Sequence, residues 1–516
     1  MGGGHVSGDD AGFDPGTVTH GGQDLTGLRA VVAGLGVSGE SAARALLERG
    51  ASVTVVDGAH TPAQRERAGR LPGARLLCGA GAVSDLPAGP PPDLVVTSPG
   101  WRPDSPLLAA AAGAGIAVWG DIELAWRLRP ATGAAPWLAL TGTNGKTTTV
   151  GMLASMLAAA GRHAVAAGNI GTPLLDAVLA DDPYDVIAVE LSSFQLHWAH
   201  SPSPLAAACL NVADDHTDWH GSAAAYAADK GRVYERARTA CVYNVQDPAT
   251  EDLVRRADVV DGCRAVGFTL GTPAVSMLGV VDDVLCDRAF VEQRCTSAAE
   301  LATLADVRAA GGGTPARHTV ANALAAAALA RAYGVPCSAV RDGLRGFAPA
   351  GHRIATVAEA GGVRWVDDSK ATNPHAADAS LSAFEPVVWI AGGLAKGARF
   401  DDLVAAHAGR LRAVVLIGSD RRSLAESLAR HASDIPVVDL DLAETGPTAV
   451  MDRVVRVAGD LARPGDTVLL APACASMDMF DSYAHRGEAF AAAVRRRLGG
   501  DGNRDDGRGG GRATKG

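Results

Sequence analysis

The sequence predicts an α/β protein of three domains, and three observations predict it. Short apolar runs of strand character alternate with Ala/Leu-rich helical stretches along most of the chain, the pattern of parallel sheets with crossover helices. A length of 516 residues exceeds what one core holds, since domains run to roughly 100–200 residues. Two Pro/Gly/Ala-rich interruptions, Arg129–Pro136 and Phe347–Gly351, read as linkers. The expected domains are 24–132, 136–349 and 352–498. Residues 1–23 and 499–516, dominated by Gly and charge, are expected to be disordered tails.

Composition narrows the function. Apolar residues make up 47% and charged residues 20%, as in soluble globular proteins, and 62 Gly with 27 Pro, in no collagen-like period, exclude a fibrous chain. The net charge of −10 comes without a basic block, which argues against nucleic-acid or anionic-membrane binding. No apolar run reaches the roughly 18–20 residues of a membrane span, and the first 23 residues lack a basic region followed by an apolar core, so a cytoplasmic protein is expected. Eight cysteines occur without a C-x-x-C pair, which predicts free, mostly buried thiols and neither a zinc site nor a disulfide framework.

Lysine is scarce: 42 Arg stand against five Lys, at 146, 230, 370, 396 and 515. Where any surface cation suffices this chain uses Arg, so the lysines that remain mark places needing a compact, deprotonatable amine. Lys515 lies in the C-terminal tail, which leaves four positions as candidates for chemistry.

The first domain opens with a strand and the turn Gly34-Leu35-Gly36-Val37-Ser38-Gly39, followed by a helix and a second strand ending at Asp57. Such a turn brings backbone amides to a pyrophosphate, and the acid can reach a ribose hydroxyl. A nicotinamide or flavin cofactor, a nucleotide-sugar diphosphate and plain helix–sheet packing all satisfy it. The domain is Rossmann-like on any of these.

The second domain begins with a strand from Trp137 and the loop Thr141-Gly142-Thr143-Asn144-Gly145-Lys146-Thr147-Thr148. Loop amides can cradle ATP phosphates, Lys146 can reach the transferring phosphoryl group, and the Thr147 hydroxyl can ligate magnesium. Leu140 occupies the first glycine position of the usual P-loop pattern, so the nearer Gly142 takes its part. Asn169, the run Glu190–Leu196 and the run Asn211–Asp218 each follow or end a strand, the edge where open α/β sheets bind ligands. Glu190 and His216 are candidate magnesium ligands, although His216 alone reads more readily as an ordinary polar-loop histidine. Lys230 falls in a helical stretch, where an ordinary exposed lysine is the default. In the third domain, Asp367–Pro374, Gly392–Gly397 and Ala471–Phe480 gather charged and hydroxyl residues at strand ends, which suits a small anionic substrate.

The order of T-G-T-N-G-K-T-T, E-L-S-S-F-Q-L, N-x-x-x-D-H, D-S-K-A-T-N-P, G-G-x-x-K-G and P-A-C-A-S-M-D-M-F resembles the Mur ligase family over residues 27–497. That resemblance implies a Rossmann-like first domain holding the UDP part of a substrate, a P-loop ATPase-like central domain and a Rossmann-like third domain for an amino acid. It implies an ATP-dependent ligase adding D-glutamate to UDP-N-acetylmuramoyl-L-alanine, with two Mg²⁺ ions. Sibling ligases, folylpolyglutamate synthase among them, share the ATP domain, and an NAD-dependent dehydrogenase remains the rival from another class. By resemblance, Thr147 and Glu190 ligate one ion, and His216 with a carbamylated Lys230 the other. Carbamylation suits lysine, because CO₂ adds only to a neutral amine and arginine cannot supply one. The resemblance further places ATP on Gly142–Thr148, Asn322, Arg353, Asp368 and Lys370. It gives the nucleotide-sugar substrate to Gly34, Gly36, Ser38, Gly39, Asp57, Asn169, Ser192 and Gln195, and D-glutamate to Thr372, Lys396, Ser476 and Tyr483. Lys146, Lys230 and His216 are the expected catalytic residues, and a monomer is expected.

Overall fold

A computed structural model describes residues 24–59, 61–307, 315–348, 354–441 and 446–501. They fall into two compact units. One runs to Val212 and resumes over 224–307 and Pro315–Phe347; the other joins Ala213–Ala223 to the residues from 354 onward. The segment Ala213–Ala223 thus groups with the second unit, although it lies within the span expected for the central domain.

The first unit carries two sheets. The N-terminal one comprises β1 (Arg29–Ala33), β2 (Ser52–Asp57), β3 (Arg75–Cys78), β4 (Leu94–Thr97) and β5 (Ala117–Gly120), in the order β3-β2-β1-β4-β5. All its pairings are parallel. The strand order reverses beside β1, so the crevice beyond β1 and β4 is the topological switch point, and the Gly34–Gly39 turn lies at it. Fully buried Val32, Val53, Val55 and Leu94 on one face and Val31, Val56 and Val95 on the other show why these runs are continuously apolar.

The central sheet has nine strands: β6 (Trp137–Thr141), β7 (Ala164–Gly168), β8 (Val186–Glu190), β9 (Ala206–Cys209), β10 (Ala240–Asn244), β11 (Arg264–Phe268), β12 (Met277–Val281), β13 (Val284–Asp287) and β14 (Ala299–Thr303). Their order is β14-β13-β12-β11-β10-β9-β6-β8-β7. The strand carrying the phosphate loop, β6, is flanked by β8 and β9, with Leu140 opposite Glu190 and Thr141 opposite Cys209. The last two pairings are antiparallel, an addition to the parallel pattern read from the sequence. Asp282 and Asp283 turn the chain between β12 and β13, with Asp282 at φ +54°, a left-handed conformation that Asp tolerates better than most residues. Helix Arg317–Tyr333 covers the sheet with an uninterrupted buried stretch from Ala323 to Ala330, where small side chains permit close packing.

The second unit contains β15 (Ala355–Ala360), β16 (Val363–Asp367), β17 (Val387–Gly392), β18 (Leu411–Ile417), β19 (Val437–Asp439) and β20 (Thr467–Leu470), ordered β15-β16-β20-β17-β18-β19. Among the described strands of this sheet only the β15–β16 hairpin is antiparallel. Strands β16, β20 and β17 lie side by side, which brings the loops after Asp367, Leu470 and Gly392 to one edge. The last helix runs from Tyr483 to Asp501, a little past the expected limit of the domain.

Candidate active site

The phosphate loop leaves β6 at Thr141 and enters helix Lys146–Ala159 through Gly145, whose φ of +85° is left-handed. A Cβ at Gly145 would also collide with the carboxamide of Asn322, so glycine is required there twice over. The Lys146 Nζ donates to the carbonyl oxygens of Gly142 and Thr143 at 2.8 and 2.9 Å. Asn211, just beyond β9, clamps the loop: its Oδ1 accepts from the Asn144 N–H at 2.8 Å, its Nδ2 donates to the Asn144 carbonyl at 3.1 Å, and its own carbonyl accepts from the Thr143 N–H at 3.0 Å. A glycine-rich loop held open at a helix N-terminus is a preformed anion cradle. Thr147 is buried at its base and Thr148 half-buried.

Lys230 is not the exposed residue its helix would suggest. Helix Ala223–Gly231 buries Tyr226 and Lys230, one turn apart, and a 3₁₀ turn Arg232–Tyr234 follows. The Lys230 side chain is 1% exposed, and its Nζ donates to the Gly142 carbonyl at 2.9 Å and sits 4.6 Å from the centroid of the Tyr226 ring. The Tyr226 hydroxyl lies 3.0 Å from Thr143 Oγ1.

Glu190, at the end of β8, is buried; its Oε1 accepts from Asn169 Nδ2 at 3.0 Å, and its Oε2 is a buried oxygen with no hydrogen-bond partner among the described residues. An orphaned carboxylate oxygen beside a phosphate loop fits a metal ligand, because a buried acceptor otherwise forfeits its solvation. His216 heads the short helix Thr217–His220 at φ +52°, with Nε2 3.7 Å from Asp215 Oδ2. Among the described residues no three His, Cys, Asp or Glu side chains form a ready metal cluster.

At the switch point of the N-terminal sheet, Gly34 has φ +96° and Gly39 abuts the Gly34 carbonyl so closely that no Cβ fits. Asp57 braces the turn: its Oδ2 accepts from the Leu35 N–H at 2.7 Å and its Oδ1 from the Ala59 N–H at 2.9 Å. Gly36 is exposed with open space before it, and Ser38 is half-buried. Ser192 and Gln195 form a reciprocal capping box on helix Ser193–His197, and Gln195 Nε2 donates to the buried Asp121 Oδ2 at 3.0 Å. Burial raises the Asp121 carboxyl above its ordinary range, against the hydrogen bonds of Gln195 and Ser38.

In the second unit, Thr372, Lys396, Ser476 and Tyr483 all lie in the loops after β16, β17 and β20 or at the helix start beyond them. Lys396 adopts φ +52°, and Lys370 Nζ stands 3.8 Å from the Tyr483 ring centroid. Asp368, buried, accepts from Ser380 and from the Ile354 N–H, so its carboxylate braces the loop. Arg353 lies outside the described residues. The cysteines are free; burial pushes the thiols of Cys209 and Cys474 up to about 12, which keeps them un-ionised and unreactive near neutral pH.

Three family models match in chain order: the Mur ligase MurD-like N-terminal domain over 28–120, the Mur ligase middle domain over 140–330 and the Mur ligase glutamate ligase domain over 352–474. The chain belongs to the Mur ligase family. It is 63% identical over 469 residues to a UDP-N-acetylmuramoylalanine–D-glutamate ligase of Streptomyces avermitilis, covering 91% of this chain and 98% of that one. A protein of the same name from Thermobifida fusca is 57% identical, with 92% and 99% covered. Among solved structures, MurF of Acinetobacter baumannii matches with a TM-score of 0.55 at 16% identity, covering 93% of this chain and 94% of that one. MurC of Thermotoga maritima matches at 0.53 and 18%, covering 92% and 99%. These last two likenesses concern the fold.

In this Mur ligase the residues that sequence reasoning left without a role are chiefly braces. Asn211 opens the N-x-x-x-D-H run, and its clamp on the phosphate loop follows from β9 lying beside β6. Asp121 and Glu123, in the run Gly120-Asp121-Ile122-Glu123-Leu124, are both buried. Glu123 accepts from the N–H groups of His200 and Ser201, the Ser201 hydroxyl and Arg127 Nε, which ties the N-terminal sheet's last helix to the central domain. The Ser192-x-x-Gln195 spacing is itself a capping signal, and both residues make the cap.

Proposed function

We propose that this Mur ligase joins D-glutamate to UDP-N-acetylmuramoyl-L-alanine at the expense of ATP, releasing ADP and phosphate, as a cytoplasmic monomer in peptidoglycan precursor synthesis. The observation that carries the chemistry is the phosphate loop itself, with Lys146 and a buried Lys230 both on the Gly142 carbonyl and the unpartnered Glu190 oxygen at the neighbouring strand end. The acceptor assignment is supported by relatives of that name and by cationic and hydroxyl side chains on the third domain's loops.

A carboxylate is a poor electrophile until one oxygen becomes part of a good leaving group. An oxygen of the alanyl carboxylate attacks the γ-phosphorus of ATP, the bond to the β-phosphate bridging oxygen breaks, and an acyl phosphate and ADP result. The amine of D-glutamate then adds to the acyl carbon, loses a proton, and the intermediate expels inorganic phosphate to leave an amide. Lys146 and the loop amides counter the charge on the transferring phosphoryl group. Gly34–Gly39 and Asp57 would hold the nucleotide end, with Asn169, Ser192 and Gln195 toward the sugar and peptide. Asn322, Arg353, Asp368 and Lys370 would serve the adenosine and phosphates, and Thr372, Lys396, Ser476 and Tyr483 the D-glutamate. Two magnesium ions, one on Thr147 and Glu190 and the other on His216 and carbamylated Lys230, would supply further charge neutralisation at the phosphates.

Phosphate release from ATP, measured with UDP-N-acetylmuramoyl-L-alanine and a panel of amino acids, tests the reading. Release that requires both the nucleotide substrate and D-glutamate is the expected result. Turnover of NADH, or equal release with lysine or diaminopimelate, refutes it.

A further inference from the structure

Arg486 is buried in the second unit at 1% exposure, and among the described residues it makes no ion pair. Its guanidinium instead forms four hydrogen bonds to neutral oxygens. Nε donates to Ser369 Oγ at 2.9 Å, Nη2 to the Ser369 carbonyl at 2.9 Å, and Nη1 and Nη2 both to the Cys474 carbonyl at 3.2 Å. Ser369 Oγ in turn donates to the Tyr483 carbonyl at 2.8 Å. Burial pushes the guanidinium down to about 10, so it remains charged at neutral pH. Asp478 and Asp367 favour the charge through space without an ion pair, and a buried charge held that way is a poor means of gaining stability, since an apolar side chain of similar size would fill the space at less cost. What the planar fork supplies is a fixed spacing between three chain segments.

Those segments carry the loops at the carboxyl edge of the sheet. Lys370 and Thr372 follow Ser369 directly, and the Thr372 N–H donates to the Lys370 carbonyl at 2.8 Å. Ser476 lies two residues beyond Cys474, and between them Ala475 exchanges backbone hydrogen bonds of 2.9 and 3.0 Å with Leu394, two residues before Lys396. Ala473 donates to the Ala371 carbonyl at 2.9 Å, closing the ring of loops.

We propose that Arg486 is a positioning residue for the amino-acid pocket: by holding Ser369 and Cys474 at a fixed separation it places Thr372, Lys396, Ser476 and Tyr483 toward the acceptor. The pocket's identity rests on the function proposed above. Lysine at 486 keeps the charge but cannot reach the Ser369 and Cys474 oxygens in one plane, so Arg486→Lys should raise the KM for D-glutamate about tenfold or more. The KM values for ATP and for the nucleotide substrate should stay within about twofold. Methylguanidinium added to Arg486→Ala should lower the D-glutamate KM again, which a general loss of folding would not allow. Ser369→Ala, which removes one acceptor of Arg486 and the link to Tyr483, should act in the same direction and less than additively with Arg486→Lys.

A folded Arg486→Lys with a wild-type KM for D-glutamate overturns the proposal, as does an equal rise in all three KM values. If Arg486→Lys does not fold, Ser369→Ala is judged by the same two criteria. Wild-type enzyme in the same assay separates the two ideas. If it uses another amino acid, the functional reading falls, and the effect of Arg486→Lys on that amino acid's KM still decides the positioning role.

Discussion

Lys146 and Lys230 donate to the same acceptor, the Gly142 carbonyl, at 2.8 and 2.9 Å. One comes from the first turn of the helix after the loop, the other from the helix Ala223–Gly231, and the second is almost wholly buried. A residue recruited only for charge would be expected as Arg in a chain with 42 Arg and five Lys.

Lys230→Arg should therefore lose most activity, roughly a hundredfold in kcat, because a guanidinium keeps the charge but cannot become a carbamate ligand. Acetate should partly restore Lys230→Ala by placing a carboxylate where the carbamate would be. A wild-type rate for Lys230→Arg in a phosphate-release assay refutes the carbamate.

The Asn211 clamp leads to a second expectation. Asn211→Ala removes both side-chain bonds to Asn144, and at about 1 kcal/mol for each the loop should lose roughly ten- to thirtyfold in apparent ATP affinity. Steady-state kinetics should show the KM for ATP rising with the KM for D-glutamate unchanged. An unchanged KM for ATP would mean that the loop keeps its shape without Asn211.

How much of this was legible beforehand depends on how local the cause is. The phosphate loop and the Gly34–Gly39 turn were readable because glycine placement and the flanking strand and helix lie within about a dozen residues of sequence. The scarcity of lysine singled out Lys230 without any structure, yet its burial against Gly142 needs the fold. Braces were the blind spot. Asn211 reaches the loop only because β9 pairs with β6, and Arg486 reaches Ser369 across more than a hundred residues. The antiparallel β12–β14 segment escaped because β-type runs separated by two aspartates carry no helix-crossover signal, and no reading of the parallel pattern supplied them.

Glu123 makes a pH-dependent contribution to stability. Burial alone would raise its carboxyl, but the bonds from Ser201, His200 and Arg127 outweigh it and hold the group below the ordinary glutamate range. A carboxyl depressed in the folded state stabilises fully above its unfolded value, about 4.3, and that stabilisation is lost as pH falls through the lower folded value. Glu123→Gln should accordingly lower the Tm at pH 7, and the gap from wild type should narrow only below about pH 4. A Tm difference that stays constant from pH 7 to pH 3 contradicts this account.

Lys396 offers the sharpest test of the acceptor pocket. It lies in the loop after β17 in a left-handed conformation, φ +52°, that most side chains avoid, so the backbone accepts some strain at this position. A cation facing the side-chain carboxylate of D-glutamate is worth about 1.5–3 kcal/mol as a charge-assisted hydrogen bond, and the same cation repels an amino-terminated side chain. Lys396→Ala should then raise the KM for D-glutamate roughly ten- to a hundredfold while the KM for ATP stays near wild type. Lys396→Gly separates the two causes, since it relieves the φ strain and removes the charge together: its D-glutamate KM should match that of Lys396→Ala, and its Tm should be no lower. If the constants for ATP and D-glutamate shift together in Lys396→Ala, or if wild type accepts lysine as readily as D-glutamate, the cation does not face the acceptor carboxylate, and the pocket has to be sought elsewhere along the edge formed by β16, β20 and β17.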